Sequence, residues 1–212
     1  MKLILCRHGE TDYNNEHRYQ GTTETSINES GKKQALLISE LLKKEEIDYV
    51  FSSPRNRCMQ TAKIISKPHK LPVKIREDLR EINYGFLEGH TVLEIKNRFP
   101  GIWEEREKSK YDYAHANGES FAHADEARVK PMLAEFREKY SSRCILVVTH
   151  QGIGRLIIGS LLGIPPIEKM KVTLPNDCVY FIDYGPHTTK IRYARVDSGI
   201  TGDGFYTRPD LV

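Results

Sequence analysis

Two histidines of this sequence lie just after short, mainly apolar runs, where a side chain emerges at the end of a buried strand. His8 follows the run KLILC and lies between Arg7, which brings a fixed positive charge, and Gly9, which permits a turn. His150 follows the run CILVVT. A histidine that stays neutral can act as a nucleophile, and a nearby cation helps to keep it neutral. A lone histidine at such a place is commonly structural, so this interpretation depends on the residues that accompany it.

Charged and polar side chains of suitable chemistry accompany the two histidines. Arg55 and Arg57 follow a second strand-like run at the predicted start of a helix, where backbone N–H groups and the helix dipole favour anions. Glu81 lies in an irregular segment bounded by glycines, and Asn14 lies six residues after His8. Each of these residues alone is consistent with a solvated surface group. Together they favour a functional interpretation of the histidines.

The elements that must position these residues alternate between apolar runs and helical periodicity. The runs predict strands at 2–6, 48–53, 73–77, 144–150, 179–184 and 190–196, the last two as a hairpin that closes the sheet. The periodic segments predict helices at 30–44, 56–66, 92–99, 120–140 and 152–162, with Ser30 as the first N-cap and Pro131 as a kink. Such alternation is typical of an α/β sheet flanked by helices, whose ligands bind beyond the carboxyl ends of the strands.

Composition limits the class of protein. The chain has 212 residues, of which 39% are hydrophobic and 29% are charged, as in an ordinary globular domain rather than a disordered or fibrous chain. The longest nearly unbroken apolar run, 156–164, is far shorter than a spanning helix of about 20 residues, and no secretory signal is visible. The formal charge of +3 does not indicate nucleic acid and suits a pocket for a small anion. We therefore expect a cytoplasmic protein with neither a nucleic-acid nor a membrane partner.

The cysteine and histidine spacings count against two other classes of hydrolase. Cys6, Cys58, Cys144 and Cys178 form no CxxC pair, and none of them begins a C-x5-R loop, so a cysteine-based phosphatase is excluded. We expect these cysteines to be reduced and buried, as is usual in the cytosol. The sequence contains no HExxH motif, which counts against a metallohydrolase. We expect neither a metal ion nor a cofactor.

A series of longer motifs occurs in a fixed order along the chain. The motifs are RHGET at 7–11, the pair Gln20-Gly21, SSPxxRxxQTA at 52–62, LRExxYGxxEG at 79–89, Gly118-Glu119-Ser120 and the second histidine before a helix. In this order they resemble the histidine phosphatase superfamily, also called the phosphoglycerate mutase-like family. The resemblance covers roughly residues 1–196. It implies a three-layer α/β/α sandwich with a mostly parallel central sheet, in a single domain over 1–212.

The resemblance implies a role for each matching residue. His8 takes the phosphoryl group as a phosphohistidine, and Glu81 protonates the leaving oxygen before it activates water. His150 completes the catalytic set and contacts the phosphate. The remaining residues implied in phosphate or substrate binding are Arg7, Asn14, Gln20, Gly21, Arg57 and Gln151. Arginine forks and a histidine meet the charge of the phosphate without a metal ion, so we expect a metal-independent phosphomonoesterase of the histidine acid phosphatase type.

The sequence departs from the family pattern near the expected path of the substrate tail. Residues 22–27, TTETSI, replace a frequent Asp-x-Pro-Leu, and Arg55 stands where leucine is usual. Gln151 replaces a frequent glycine, although its backbone N–H can still reach a phosphate at the helix start. The first two departures leave the substrate open among small phosphorylated metabolites, such as α-ribazole phosphate or sugar phosphates.

The segment around Glu81 favours hydrolysis over phosphoryl transfer to a second hydroxyl. Mutases that resemble this chain usually carry Glu-Arg-His-Tyr-Gly and a longer insertion, whereas here the string is Glu-Ile-Asn-Tyr-Gly in a short chain. We therefore expect hydrolysis of a small phosphomonoester, with a mutase as the alternative. A catalytically inactive phosphate-binding module is a weaker alternative, because both His8 and Glu81 are present.

The segment at about 90–125 is expected to form a helical lid over the site. Four aromatic residues in it either face the substrate or pack the lid against the sheet: Trp103, Tyr111, Tyr113 and Phe121. The tail at 198–212 either folds over the sheet edge or stays mobile, and a homodimer is an assembly that the sequence leaves open.

Overall fold

A seven-stranded sheet forms the centre of the computed structural model, which describes residues 1–185 and 188–207. The strands in chain order are β1 (Lys2–Arg7), β2 (Tyr49–Ser52), β3 (Val73–Ile75), β4 (Cys144–Thr149), β5 (Cys178–Tyr184), β6 (Thr189–Arg195) and β7 (Thr201–Asp203). Their order across the sheet is β3-β2-β4-β1-β5-β6-β7. The pairs from β3 to β1 are parallel and the pairs from β1 to β7 are antiparallel. The sheet is therefore mixed, with three parallel and three antiparallel pairs rather than mostly parallel ones. The predicted hairpin of β5 and β6 is confirmed, but β7 adds one more strand beyond it.

Helices cover both faces of this sheet. In chain order they are α1 (Asp12–Asn15), α2 (Glu29–Leu42), α3 (Asn56–Ser66), α4 (Val92–Arg98), α5 (Ile102–Lys108), α6 (Phe121–Ala124), α7 (Lys130–Lys139), α8 (Gln151–Leu162) and α9 (Pro166–Lys169). Short 3₁₀ turns lie at Lys67–His69, Glu77–Leu79 and Gly85–Leu87. None of the helices in the described ranges is long and apolar enough to cross a membrane.

The alternation of side chains along β1 explains the two helical layers. Leu3 and Leu5 belong to the core that includes residues of α7 and α8, whereas Ile4 and Cys6 belong to the core that includes residues of α2 and α3. The apolar positions 3–6 of β1 are therefore buried on both faces of the sheet. Full burial of each large apolar side chain contributes about 1.5–3 kcal/mol. The expected α/β/α sandwich is confirmed.

The first long helix differs from its prediction at the N-terminus. Helix α2 begins at Glu29, and its N-cap is Asn28, whose Oδ1 accepts a 2.9 Å hydrogen bond from the N–H of Gly31. The prediction of Ser30 as the N-cap is wrong, because asparagine and serine cap equally well and the first turn carries no apolar residue to mark its start. The next helix, α3, spans the predicted residues.

The long helix predicted at 120–140 is divided by a π-helical turn at Asp125–Val129. Pro131 lies in the first turn of α7, directly after this π turn. A proline has no N–H to donate, and its ring crowds the carbonyl four residues earlier, so a wider turn relieves the clash. The irregularity expected at Pro131 therefore takes the form of this turn.

Two short helices, α4 and α5, occupy much of the segment at 90–125, and α5 is one that the sequence did not predict. Three aromatic residues of the segment at 90–125 pack in or against the main core: Trp103, Tyr111 and Phe121. Tyr113 lies edge-on to His115, with ring centroids 5.1 Å apart. Packing thus accounts for these side chains, while a lid motion of the segment stays a prediction.

The tail predicted at 198–212 adds a strand to the sheet. Strand β7 pairs with β6 at the sheet edge, as in the first of the two expected arrangements. The last five residues of the tail, 208–212, lie outside the described residues.

Candidate active site

The two strand-end histidines lie side by side because their strands are parallel neighbours. Arg7 of β1 is in register with Thr149 of β4, so His8 and His150 leave the same edge of the sheet. The N–H of His8 donates a 2.9 Å hydrogen bond to the carbonyl of Thr149. The two imidazole rings are 5.2 Å apart, edge to face. The topology therefore brings together two residues that are 142 positions apart in the chain.

Hydrogen bonds hold the ring of His8 in one orientation. Its Nδ1 lies 2.8 Å from the carbonyl oxygen of Gly9, to which only a protonated Nδ1 can donate. The neutral ring then carries its lone pair on Nε2, the nitrogen available for attack. Gly9 has no room for a side chain, since a Cβ would lie 2.4 Å from the carbonyl oxygen of Gly31. Asn176 holds the carbonyl of His8 at 2.8 Å.

The surroundings keep His8 uncharged. Burial lowers the pKa of the His8 imidazole well below its usual range, and the positive charges of Arg57 and Arg7 lower it further. The bond to Gly9 opposes this shift but does not reverse it. His8 is therefore a neutral imidazole at pH 7, as a nucleophile must be.

Arg57 is fully buried below the cavity of the site, and the backbone of the loop at 21–23 fixes it. Its Nη2 donates to the carbonyl of Gly21 at 2.7 Å, and its Nη1 donates to the carbonyl of Thr23 at 2.9 Å. Its Nε donates to Nδ1 of His150 at 3.3 Å. Arg55 points elsewhere and pairs with Glu24 at 2.7 Å. The start of α3 thus directs one arginine inward and the other to the surface.

His150 is fully buried between Arg57 and the end of β2. Its Nδ1 accepts from Arg57, which leaves Nε2 to donate to Oγ of Ser53 at 2.8 Å. Burial lowers the pKa of His150 well below its usual range, and the charge of Arg57 adds to this effect. His150 is thus neutral at pH 7, and the fixed positive charge here comes from Arg7 and Arg57.

Glu81 is held by backbone N–H groups at the start of α8. Its Oε2 accepts from Gly152 at 2.9 Å, and its Oε1 accepts from Ile82 at 2.9 Å and from Ile153 at 3.3 Å. The side chain is 5% exposed and still lines the cavity of the site. A carboxyl fixed by both oxygens at the start of the helix that follows His150 is well placed to give or take a proton.

A cavity of about 550 Å³ lies above these groups. Five of the predicted site residues line it: Arg7, Asn14, Gln20, Glu81 and Gln151. His8, Arg57 and His150 are buried near it, in contact with one another. The structure therefore gathers the predicted residues around one cavity and the buried groups next to it.

The protein itself engages several of the side chains predicted to bind phosphate. The Gln20 amide bonds to Thr11 and Thr25, and the Gln151 amide bonds to the backbone of Val172 and Leu174. The carbonyl of Gly21 accepts a hydrogen bond from Arg57, as described above. These bonds position the loops of the site, and direct phosphate contacts of the three residues stay predictions.

Asn14 keeps a donor for a ligand. Its Oδ1 accepts from the N–H of Thr11 at 3.2 Å and from Asn176 at 3.3 Å. Its Nδ2 donates to no group in the described part of the chain, and the residue lines the cavity. An amide N–H₂ oriented through its own oxygen is suited to bind a phosphate oxygen.

Sequence reasoning missed Asn176 and the structural role of Glu88. Asn176 lies in the turn Pro175-Asn176-Asp177. It does not follow a predicted strand, so the sequence gave no reason to place it in a site. Glu88 accepts hydrogen bonds from the N–H groups and hydroxyls of Thr22 and Thr23 at 2.6–3.1 Å. Burial alone would raise the pKa of Glu88, but these donors outweigh it and lower the pKa. Glu88 is therefore an anchor for the loop that holds Arg57.

The other candidate chemistries find little support at this site. Cys58 lies 3.4 Å from Nε2 of His150, but burial raises the pKa of its thiol to about 12, which keeps it protonated. Within residues 1–185 and 188–207 there is no cluster of three or more histidine, cysteine or carboxylate side chains that could hold a metal ion.

Comparison with known proteins shows the family to which the chain belongs. The model of the histidine phosphatase superfamily (branch 1) matches residues 3–197. The chain is 34% identical to phosphoserine phosphatase 1 of Hydrogenobacter thermophilus over 77% of each chain. It is 31% identical to the adenosylcobalamin/alpha-ribazole phosphatase of Escherichia coli, over 91% of this chain and 94% of the relative. The crystal structure of a putative alpha-ribazole-5'-P phosphatase from Escherichia coli superposes with a TM-score of 0.84, at 28% identity, over 90% of this chain and 94% of that one.

Proposed function

Because the chain belongs to the histidine phosphatase superfamily and its relatives include phosphatases, we propose that it hydrolyses small phosphomonoesters through a phosphohistidine on His8. One observation carries the proposal. His8 is buried and neutral, and its Nδ1 is committed to the carbonyl of Gly9, so its lone pair is on Nε2. A free histidine in water mixes both tautomers and is partly protonated near its pKa of about 6.5. The site thus fixes His8 in one neutral tautomer before the substrate binds.

In the first step, Nε2 of His8 attacks the phosphorus as the bond from phosphorus to the leaving oxygen breaks. Glu81 in its protonated form gives its proton to that oxygen, and the alcohol leaves. Arg7 and Arg57 stabilise the charge on the remaining phosphoryl oxygens, aided by a hydrogen bond from Nδ2 of Asn14. His150 accepts from Arg57 through Nδ1 and so holds that arginine in place. Phosphoryl transfer depends mainly on such positioning and charge stabilisation.

In the second step, the Glu81 carboxylate takes a proton from a water molecule that attacks the phosphohistidine. The bond from phosphorus to Nε2 breaks, its electron pair returns to the imidazole, and inorganic phosphate is released. Glu81 regains its proton in this step, so the site is ready for another cycle. General acid or base help of this kind contributes about 10²–10⁴-fold in rate.

Two finer properties follow from the same site and belong to the proposal. Arg7 and Arg57 supply fixed positive charge, so we expect turnover without a divalent metal. We also propose that the protein works in the cytoplasm, since its four cysteines are free and buried.

The test is a screen of the purified chain against phosphomonoesters that include 2- and 3-phosphoglycerate. We expect release of inorganic phosphate, and a protein-bound phosphoryl group that is lost in acid but survives in base. His8→Ala should abolish both signals and keep the melting temperature, while His123→Ala, a change of an exposed histidine, should keep both. Substantial turnover by His8→Ala would contradict the proposal. Interconversion of the phosphoglycerates that outpaces phosphate release would identify a mutase.

A further inference from the structure

Arg155 is a cation of the active-site cavity that the chemistry described above does not use. It lies on α8, one helical turn after Gln151, and lines the same cavity as Glu81. Its Nε is fully buried without a hydrogen-bond partner, and its guanidinium makes no hydrogen bond or ion pair within residues 1–185 and 188–207. Its contact is the ring of Phe121, 5.6 Å away.

No carboxylate in the described part of the chain forms an ion pair with Arg155, although the charge of Glu81, which lines the same cavity, attracts it at longer range. Arg106 and Lys110 lie nearby, and both pair with the same carboxylate, that of Glu107. Burial, and then the repulsion of Arg106 and Arg155, lowers the pKa of Lys110. Burial likewise lowers the pKa of Arg155. Arg155 is half-buried and its Nε donor has no partner in the described part of the chain, so this part of the cavity favours an anion.

Two tyrosines add neutral donors beside this cation. Tyr19 and Tyr84 line the cavity with Arg155, and their rings meet edge-on with centroids 5.0 Å apart. Neither hydroxyl makes a hydrogen bond to another group in the described part of the chain. A guanidinium, which can only donate, lies beside two phenol hydroxyls that can also donate, and such a set suits a carboxylate or a phosphate.

The position of Arg155 separates this anion from the transferred phosphoryl group. Four residues of α-helix advance by about 6 Å, so Arg155 is one turn further along α8 than the helix start, where Glu81 is held. Arg7 and Arg57 serve the phosphoryl group at that end. An anion at Arg155 therefore belongs to another part of the same substrate, a few bonds from the ester oxygen.

We propose that Arg155, with Tyr19 and Tyr84, binds a second anionic group of the substrate, and that the enzyme prefers phosphomonoesters that carry a carboxylate or a second phosphate. This inference rests on the proposed phosphatase function and assigns Arg155 as a specificity-determining residue. The substrate class is thus narrower than phosphomonoesters in general.

Matched substrate pairs test this preference. Phosphoserine and phosphoethanolamine differ in the carboxylate, as do 3-phosphoglycerate and glycerol 3-phosphate. Propane-1,3-diol bisphosphate and its monophosphate differ in the second phosphate. We expect the wild-type chain to favour the more anionic member of at least one pair by about 10- to 100-fold in kcat/KM, the range for a hydrogen bond to a charged group. The pair that shows the preference identifies the anion.

Arg155→Met should remove the preference and leave the less anionic substrates within about threefold of wild type. The loss should be mainly in KM, and inhibition by inorganic phosphate should not change, because Arg7 and Arg57 are intact. Arg155→Lys should recover part of the preference. Lys108→Met is the control, since it removes an exposed charge of α5 outside the cavity.

Stability separates this role from a structural one. Replacing a half-buried guanidinium that forms no ion pair by an apolar side chain should keep or raise the melting temperature of Arg155→Met, whereas loss of a structural contact should lower it. The inference would be overturned if Arg155→Met lost kcat/KM equally on both substrates of every pair, or if the wild-type enzyme showed no preference within any pair. Either result would leave the phosphatase function intact. Failure to hydrolyse any substrate, p-nitrophenyl phosphate included, would instead contradict the proposed function.

Discussion

The N–H of Gly152 donates a 2.9 Å hydrogen bond to Oε2 of Glu81 and so fixes this carboxyl at the start of α8. A Cβ at Gly152 would lie 2.4 Å from Oε1 of Glu81, closer than real Cβ atoms come to any neighbour. The helix that follows His150 therefore also sets the position of the proposed acid. Glycine at position 152 is the condition for that arrangement.

Gly152→Ala should displace Glu81 and slow turnover of an alkyl phosphate by about 10²-fold, because a shift of about 1 Å at a catalytic group costs that much. Overpacking should lower the free energy of unfolding by about 1–3 kcal/mol. The better helix propensity of alanine should offset about 1 kcal/mol of this loss. Steady-state kinetics with glycerol phosphate measures the effect. If the change acts through Glu81, it should add little in the Glu81→Gln background, and additive losses would show a separate cause.

Glu81→Gln should slow the first step according to the leaving group. An aliphatic alkoxide needs a proton as it departs, so phosphohistidine formation from an alkyl phosphate should fall by up to about 10²–10⁴-fold. A nitrophenolate leaves without that help. With p-nitrophenyl phosphate we expect a burst of nitrophenol followed by slow turnover, since Glu81 also serves as the base in the second step. Rapid-mixing kinetics separates the two phases.

Equal slowing of the first step for both leaving groups would show that Glu81 is not the proton donor. Glu88 would then be a poor replacement, since its two oxygens are occupied by Thr22 and Thr23. Glu10 lines the cavity and would become the candidate to test.

Arg57→Ala should lower kcat/KM by about 10²–10³-fold, the usual cost of removing one preorganised donor to a developing charge. Arg55→Ala is the matched control, two positions earlier, and should change the rate much less, because its partner is Glu24 at the surface. The test compares both variants on one substrate and checks their melting temperatures. A larger loss in Arg55→Ala would mean that the start of α3 presents the other arginine to the substrate.

The parts of the fold with strong sequence patterns were predictable. Strands β1 and β4 are continuous apolar runs, and α3 lies between a proline-containing turn and Pro68, so their positions follow from local signals. Strand β7, with the sequence Thr-Gly-Asp, has no such pattern and exists because β6 offers it an edge to pair with. The N-cap of α2 was ambiguous between two good capping residues. Tertiary pairing and near-equal local choices thus account for the misses.

The candidate site was predictable where chemistry is tied to motifs. His8, Arg57 and Glu81 each stand in a recognisable string, and the structure brings them to one place. Arg155 was not predictable, because a lone arginine in an amphipathic helix looks like a surface charge until its neighbours are known. Asn176 reaches His8 across 168 positions, a relation that no local pattern carries.

Treatment with a chelator should leave the rate unchanged, since Arg7 and Arg57 provide the charge that a metal would otherwise supply. The measurement compares phosphate release before and after EDTA and dialysis, with a metal-dependent phosphatase as the positive control. A loss that Mg²⁺ or Zn²⁺ restores would contradict metal independence and revive a metallohydrolase mechanism.

We expect His115 to give the protein a pH-dependent stability that is independent of catalysis. The side chain is 3% exposed, its Nδ1 has no hydrogen-bond partner within residues 1–185 and 188–207, and it packs against Tyr84 and Tyr113. Burial, with help from the charge of Arg106, lowers the pKa of His115 from 6.5 to about 4. Below about pH 6.5, the unfolded chain therefore binds a proton at His115 that the folded chain does not bind.

The contribution of His115 to the free energy of unfolding is fully present above about pH 6.5, the pKa in the unfolded chain. It is lost as the pH falls from there to about 4, the pKa in the folded chain, by about 1.4 kcal/mol per pH unit. His115→Phe keeps an aromatic ring and removes the titration. From about pH 7.5 to about pH 4.5, the wild-type free energy of unfolding should fall by about 2–3 kcal/mol more than that of His115→Phe. Urea unfolding measures this difference, and His123→Gln, a change of an exposed histidine in the same region, should follow wild type. Parallel pH profiles of wild type and His115→Phe would show that His115 is not protonated differently in the two states.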